Sequence, residues 1–424
     1  MKKITLDEVL DVKRGASLSG EYYAEEGKYI RTTLGNFDYP SGGFKENTSK
    51  TDLYFTGEVK DDYILKKGDI ITPLTEQVSG LLGETARVPE SDKYIQSGDV
   101  GLVIPNESVI DKDYCFYLVS SPGIKKQLDA SAQQTKIRHT SPDAIKNCIA
   151  WIPSDKAEQK KIADLLDTIN EKISLNKGIC IRLQSLIKQL YEYWFVQFDF
   201  PNAEGKPYKS AGGEMKWSKE LNRYIPQSWS DTTLRRYIGR ITNGLNPRKN
   251  FVLGTGDNYY ITIKSLIGTD IDWEACDKCD DEALGKINAR SQLQIGDVIF
   301  SAIGTIGRNY YIQETPKNWN ISETSFTLRP NEDVPADFFY TLLNCDEIQL
   351  QADRKAVGST MRCLVTDTLC DIPYMDVPEK IMKAFVLEID GMYKAIHEAQ
   401  KENRKLVELR KFLYPLLMNG QVKV

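Results

Sequence analysis

Residues 181–195 read IRLQSLIKQLYEYWF, and residues 404–418 read RKLVELRKFLYPLLM. Laid over one another, Leu183, Leu186, Leu190 and Tyr191 meet Leu406, Leu409, Leu413 and Tyr414 at a constant offset of 223. Each run closes a longer amphipathic segment. Before the first, apolar residues stand at 162, 165, 166, 169, 173 and 179, the steps of three and four that mark a helix with one apolar face. Ser154 or Asp155 suits its N-cap, Glu158 suits the positive end of its dipole, Gly178 is a weak point and Pro201 ends it. Before the second, Ile381, Phe385, Ile389, Tyr393, Ile396 and Ala399 keep the same period. A helix of about 40 residues is roughly 60 Å long and cannot stand alone with one apolar stripe. The expectation is that the two copies pack against each other, with Leu183, Leu186, Leu190, Leu406, Leu409 and Leu413 in the packing.

The regions before the helices repeat more faintly. Lys67-Gly68-Asp69-Ile70-Ile71 corresponds to Ile295-Gly296-Asp297-Val298-Ile299 at offset 228, and Tyr29 to Thr33 resembles Tyr260 to Lys264 at offset 231. Thr135 to Arg138 has a counterpart in Ser359 to Arg362. Each Gly-Asp pair is a turn between short β-branched runs that read as strands. The expected fold is α+β: two mixed α/β domains and two long antiparallel helices forming a coiled coil, with an internal pseudo-two-fold repeat. The boundaries fall at 1–153 (first domain), 154–198 (central helix), 199–228 (connector), 229–376 (second domain) and 377–424 (C-terminal helix). The connector's three prolines and three glycines read as extended chain. The aromatic run Tyr191, Tyr193, Trp194, Phe195, Phe198 and Phe200 reads as packing on the C-terminal helix around Phe412 and Leu416, or as a docking surface.

Composition narrows the function by exclusion. No run of about 18 apolar residues is present, so no membrane span is expected. MKKITLDEVL lacks the apolar stretch of a signal peptide, and eight scattered cysteines suit a reducing compartment, so the expected location is the cytoplasm. Cys276-Asp277-Lys278-Cys279 has the spacing of half a zinc site without a second half, so no metal is expected. The net charge of −5, with 19 Lys+Arg against 23 Asp+Glu in residues 1–150, leaves DNA binding to local basic faces or a partner's help. Neither a GxxxxGK[ST] phosphate loop nor an Asn-Pro-Pro-Tyr motif occurs, and there are two histidines. Pro142-Asp143 with Lys146 faintly echoes a nuclease motif, but Ser141-Pro142-Asp143 more simply starts a helix. No catalytic residue is expected. Two similar domains without chemistry suggest recognition of two different short sites.

The block YEYWFVQFDFPNAEGKPYKSAGGEMKW (191–217), followed by IPQSW (225–229), resembles the central connector of type I restriction–modification specificity (S) subunits. IPSDKAEQKKIADLLDTINEKI (152–173) resembles the start of that family's conserved helix. The resemblance covers the whole chain. It implies a non-catalytic subunit that reads a bipartite, asymmetric target in double-stranded DNA, one part per target-recognition domain, with the helices as a ruler. It also implies two methyltransferase (M) subunits, which bind S-adenosylmethionine and methylate adenine, and two restriction (R) subunits, which use ATP and Mg. No cofactor is implied for this chain. A specificity subunit for a fused nuclease–methyltransferase, and a coiled-coil scaffold whose two domains bind proteins, are the alternatives.

Polar and basic clusters at matching places in the two halves are the candidate DNA contacts. In the first domain they are Lys13, Arg14, Arg31, Thr32, Thr33, Asn36, Gln134, Lys136 and Arg138. In the second they are Asn246, Arg248, Lys249, Lys264, Arg308, Asn309, Thr360 and Arg362.

Overall fold

The computed structural model describes residues 1–38, 43–76, 80–131, 138–359 and 361–424. The chain divides into two compact units, Met1–Leu175 with Asn403–Val424, and Asn176–Glu402. The fold is mixed α+β.

In the first unit the central sheet is antiparallel, in the order Leu10–Arg14, Val100–Pro105, Ile70–Pro73, Ala86–Arg87. Leu10 and Val12 are buried between exposed Asp11 and Lys13, the alternation of a strand with one face on a core. A second sheet carries Tyr29–Arg31, with Tyr54–Phe55 antiparallel on one side and Tyr94–Ile95 parallel on the other. Three helices follow: Lys112–Val119, capped by Asp111, then Pro122–Ser131, then Pro142–Lys146. The last begins as the sequence predicts, with the Ser141 side chain accepting from the Ala144 N–H at 3.1 Å and Pro142 in the first turn. Ile149–Ile152 then pairs with Lys2–Thr5.

The second unit repeats much of this order and adds a helix, Asp281–Ser291. Its central sheet runs Ile238–Asn243, Ser325–Pro330, Val298–Ser301, Asn309–Tyr311. Asn258–Ile261 has Trp319–Ile321 as its parallel neighbour. Helices Ala336–Asn344, Asp346–Lys355 and Thr366–Cys370 follow, and Pro373–Asp376 pairs with Ser230–Thr233. One correspondence differs from the sequence reading. Thr33 and Thr262 each head a capping box over a single 3-10 turn, Leu34–Asn36 and Ile263–Ser265, so the match at Thr33 is Thr262 and not Lys264.

The long helices are Lys156–Tyr191 and Glu379–Met418. The Asp155 carboxylate accepts from the Ala157 N–H at 2.9 Å, so Asp155 makes the capping bond at the first start. In the first unit Asn403 donates to the Ile173 carbonyl (3.2 Å) and Arg410 to the Asn170 side chain (2.8 Å), so the two chain directions oppose. Ile162, Ala163 and Leu166 share that core with Leu417 and Met418, and Leu413 packs beside them. In the second unit Asn176 donates to Glu402 (2.7 Å) and Tyr191 meets Phe385 edge to face, again in opposed directions. Leu183 and Leu190 are half-buried against this core.

Two of the six packing leucines do not pack. Leu186 is 46% and Leu409 44% exposed, while Ile187 and Tyr191 are buried. The stripe contains both 186 and 187, one residue step of about 100° apart, and the core side takes the second. The connector is also corrected. It is folded, with a hairpin of Met215–Ser218 and Arg223–Pro226, and Phe200 stacks between Tyr208 and Trp229. The aromatic run buries Tyr191, Trp194, Phe195, Phe198 and Phe200 against Trp229, Phe338 and Phe385. Phe412, its expected partner, is exposed.

Candidate nucleic-acid interface

In the first unit the end of strand Leu10–Arg14 and the Tyr29–Arg31 strand bring most of the candidates into one set of loops. Gly15 follows the strand because a Cβ there would run into the Ser97 carbonyl. The Gln96 side chain ties this end down, donating to the Lys13 carbonyl at 2.7 Å and the Val100 carbonyl at 2.9 Å. Lys13 and Arg14 are exposed beyond it, with Arg14 Nε donating to the Gly98 carbonyl at 2.9 Å.

The neighbouring candidates face inward. Arg31 is 5% exposed, lies 3.3 Å over the Tyr23 ring and donates to the Asp52 carbonyl at 2.7 Å. Thr32 is buried with its hydroxyl on the Ile95 carbonyl (2.9 Å). Thr33 is half-buried, and its hydroxyl accepts from Gly35 N–H (3.2 Å) and from the Asn47 side chain (2.8 Å). Asn36 is buried, its oxygen accepting from Thr33 N–H and its amide donating to the Lys45 carbonyl. Arg31, Thr32 and Asn36 therefore build the loops, and Lys13 and Arg14 face solvent from them. Arg138 stands apart, bound to Asp129 and Glu76. Gln134 and Lys136 lie outside the described residues.

In the second unit Asn246 caps the turn Pro247–Lys249, accepting from Arg248 N–H at 3.0 Å while its amide donates to Glu323 at 2.8 Å. Glu323 also accepts from the Tyr260 hydroxyl at 3.0 Å, and burial raises the pKa of that phenol. Arg248 is exposed, and Lys249 closes the turn. Lys264, also exposed, rises from the Ile263–Ser265 turn with Asp277 3.2 Å away. Arg308 is half-buried beneath this turn, donating to the carbonyls of Ile263 (2.9 Å) and Leu266 (3.0 Å). Asn309 is 2% exposed and bound to Asn344 (2.9 Å). Arg362 is bound to Asp353, and Thr360 lies outside the described residues. Among the second-unit candidates whose side chains are described, Arg248 and Lys264 are thus the ones free of burial, on turns held by Asn246 and Arg308. Sequence reasoning missed Gln96, Asn47 and Glu323, which brace these loops. Their signal is a polar side chain inside an otherwise apolar stretch, as with Gln96 after Tyr94-Ile95.

Among the described residues no group of three or more His, Cys, Asp or Glu is placed to hold a metal ion, and no helix is long and apolar enough to cross a membrane. Cys279 is buried at the end of strand Asp277–Cys279, with Cys276 half-buried before the strand. Burial pushes the Cys345 thiol up to about 11 and Cys148 to about 11, so both are protonated near neutrality.

The model of the type I restriction modification DNA specificity domain matches residues 1–185. The chain is similar to the type I restriction enzyme HindI specificity subunit of Haemophilus influenzae, at 22% identity over 412 residues, covering 84% of this chain and 87% of that one. It is also similar to the MjaIX specificity subunit of Methanocaldococcus jannaschii, at 21% identity over 325 residues, covering 76% and 71%. The crystal structure of the type I restriction–modification S subunit from M. genitalium shares the fold, with a TM-score of 0.59 at 16% identity over 98% of this chain and 96% of that one. Residues 1–185 match the specificity-domain model, and over most of its length the chain is similar to specificity subunits of type I restriction enzymes.

Proposed function

We propose that this chain reads a bipartite, asymmetric sequence in double-stranded DNA, one part through residues 1–153 and the other through residues 229–376. The helices of 154–198 and 377–424 form an antiparallel coiled coil in a pseudo-two-fold repeat and set the gap between the two parts. The observation that carries this reading is the recurrence of one central-sheet arrangement in two units, with exposed cations at different places in each: Lys13 and Arg14 at the end of strand Leu10–Arg14 in one, Arg248 and Lys264 on the turns Pro247–Lys249 and Ile263–Ser265 in the other. Two readers of one build and different surface suit two unlike half-sites. Arg31, Thr32, Thr33, Asn36, Asn246 and Arg308 shape the loops beside those cations.

The chain works in the cytoplasm with two M subunits and two R subunits. S-adenosylmethionine is bound by the M subunits, ATP and Mg by the R subunits, and no cofactor by this chain. The partners supply phosphate contacts that a chain of net charge −5 lacks. Selection of bound sequences from a randomised duplex pool, using the complex of this chain with its M subunit, tests the reading. Two short blocks at a fixed gap are expected. One continuous block would leave a single reading domain, and no enrichment by an intact complex would leave a protein-binding scaffold.

A further inference from the structure

Arg138 and Arg362 look like DNA contacts in sequence, basic residues in polar loops at matching places. Their surroundings say otherwise. One arm of the Arg138 guanidinium lies 2.6 Å from the Asp129 carboxylate, and the other donates to the Asp129 carbonyl at 2.5 Å. Arg362 repeats both bonds, to the Asp353 carboxylate at 2.5 Å and to the Asp353 carbonyl. Each aspartate is the third residue from the end of its helix, Pro122–Ser131 or Asp346–Lys355. The cation therefore also sits at the negative end of a helix dipole. Both pairs span nine residues and are related by one offset, 224, which also relates helix Pro142–Lys146 to Thr366–Cys370 and strand Ile149–Ile152 to Pro373–Asp376.

The neighbourhoods around the two pairs differ. Arg138 also meets the buried Glu76 at 2.9 Å, and Glu76 accepts from the N–H groups of Leu81 and Leu82. Around Arg362, Val357 and Cys363 exchange backbone bonds, and the Arg362 carbonyl accepts from Gly304 N–H. The clamp recurs while its surroundings do not. A residue that reads a base differs between domains with unlike half-sites, whereas a residue that closes a loop has no reason to differ.

We propose that Arg138 and Arg362 are positioning residues: each is locked to the aspartate nine residues before it, ties its own segment to the end of that aspartate's helix, and makes no contact with DNA. The inference rests on the DNA-reading function proposed above. A phosphate or base would have to displace a carboxylate and a backbone carbonyl of one residue that are already in place.

The complex with the M subunit is assayed for affinity, salt dependence and base preference at each half-site. Asp129→Asn and Arg138→Ala are each expected to weaken one half-site by roughly tenfold, the double variant no further, as for a coupled pair. The salt slope and the other half-site stay as in the parent. Asp353→Asn and Arg362→Ala do the same to the opposite half-site, and Asp129→Glu, which keeps the carboxylate, restores most of the loss. If Asp129→Asn binds as well as the parent or better, while Arg138→Ala weakens binding and lowers the salt slope by about one, Arg138 is a phosphate contact and the proposal is wrong. Loss at both half-sites also overturns it, since the effect would not be local. Failure of the parent complex to prefer any sequence would remove the DNA-reading function itself.

Discussion

Arg31 shows how far a residue type can be read without its surroundings. A guanidinium next to two threonines suggests a phosphate, yet this one is stacked on Tyr23 and bonded to the Asp52 carbonyl beneath the surface. Arg31→Ala is expected to cost about 2 kcal/mol of stability, from the lost stacking and hydrogen bond, with the shift read in urea denaturation. Lys13→Ala should change stability by less than about 0.5 kcal/mol and act on DNA affinity alone. The same scale carries a pH effect. The bond from Arg236 holds the Asp333 carboxyl below its ordinary value of 3.8. A depressed carboxyl adds stability that is present above the unfolded-state pKa and is lost as pH falls through the folded one. Acid unfolding below about pH 4 should therefore be less steep in Asp333→Asn than in the parent, seen as a smaller stability difference between pH 5 and pH 3. Sequence displays residue types, so the basic clusters were legible. Which members turn inward depends on strands about 60 residues away, such as Tyr94–Ile95 beside Arg31, and no local pattern reports that.

The long helices were the most legible elements, because their apolar period and the Asp155 start signal are local. The chosen face was less so. Leu186 and Ile187 both belong to a plausible stripe, and the packed side of the second unit selects Ile187. Ile187→Ala should cost about 3 kcal/mol, whereas Leu186→Lys should stay within about 0.5 kcal/mol of the parent in the same denaturation assay. Gly178 sits inside the first long helix with open space where a Cβ would stand. Gly178→Ala is expected to raise stability by about 1 kcal/mol, measured as a higher urea midpoint at unchanged slope. The connector was misread for a physical reason. Its prolines and glycines indicate turns, but Phe200, Tyr208 and Trp229 turn those turns into packing, and spacing alone does not show that three distant rings stack.

At the scale of the chain, composition served to exclude, and the repeated helix with its aromatic connector carried the resemblance to type I specificity subunits. The faint repeat before each helix was found in outline and two residues out of register at Thr33, where divergence had left a threonine to match against the wrong neighbour. Each unit takes one long-helix segment from each half of the chain. Tyr191 and Phe195 from before the connector share a core with Phe385 from after it, and Ile162 and Leu166 share the other core with Leu417 and Met418. Between these halves the turn at Asn202–Lys206 is exposed at its tip and closed by two backbone bonds. A single protease cut there breaks the chain without opening either core. The two fragments, 1–203 and 204–424, should run as one species on a sizing column and separate only in denaturant. The covalent join between the halves would then be dispensable once folding is complete, each half serving as the other's missing piece.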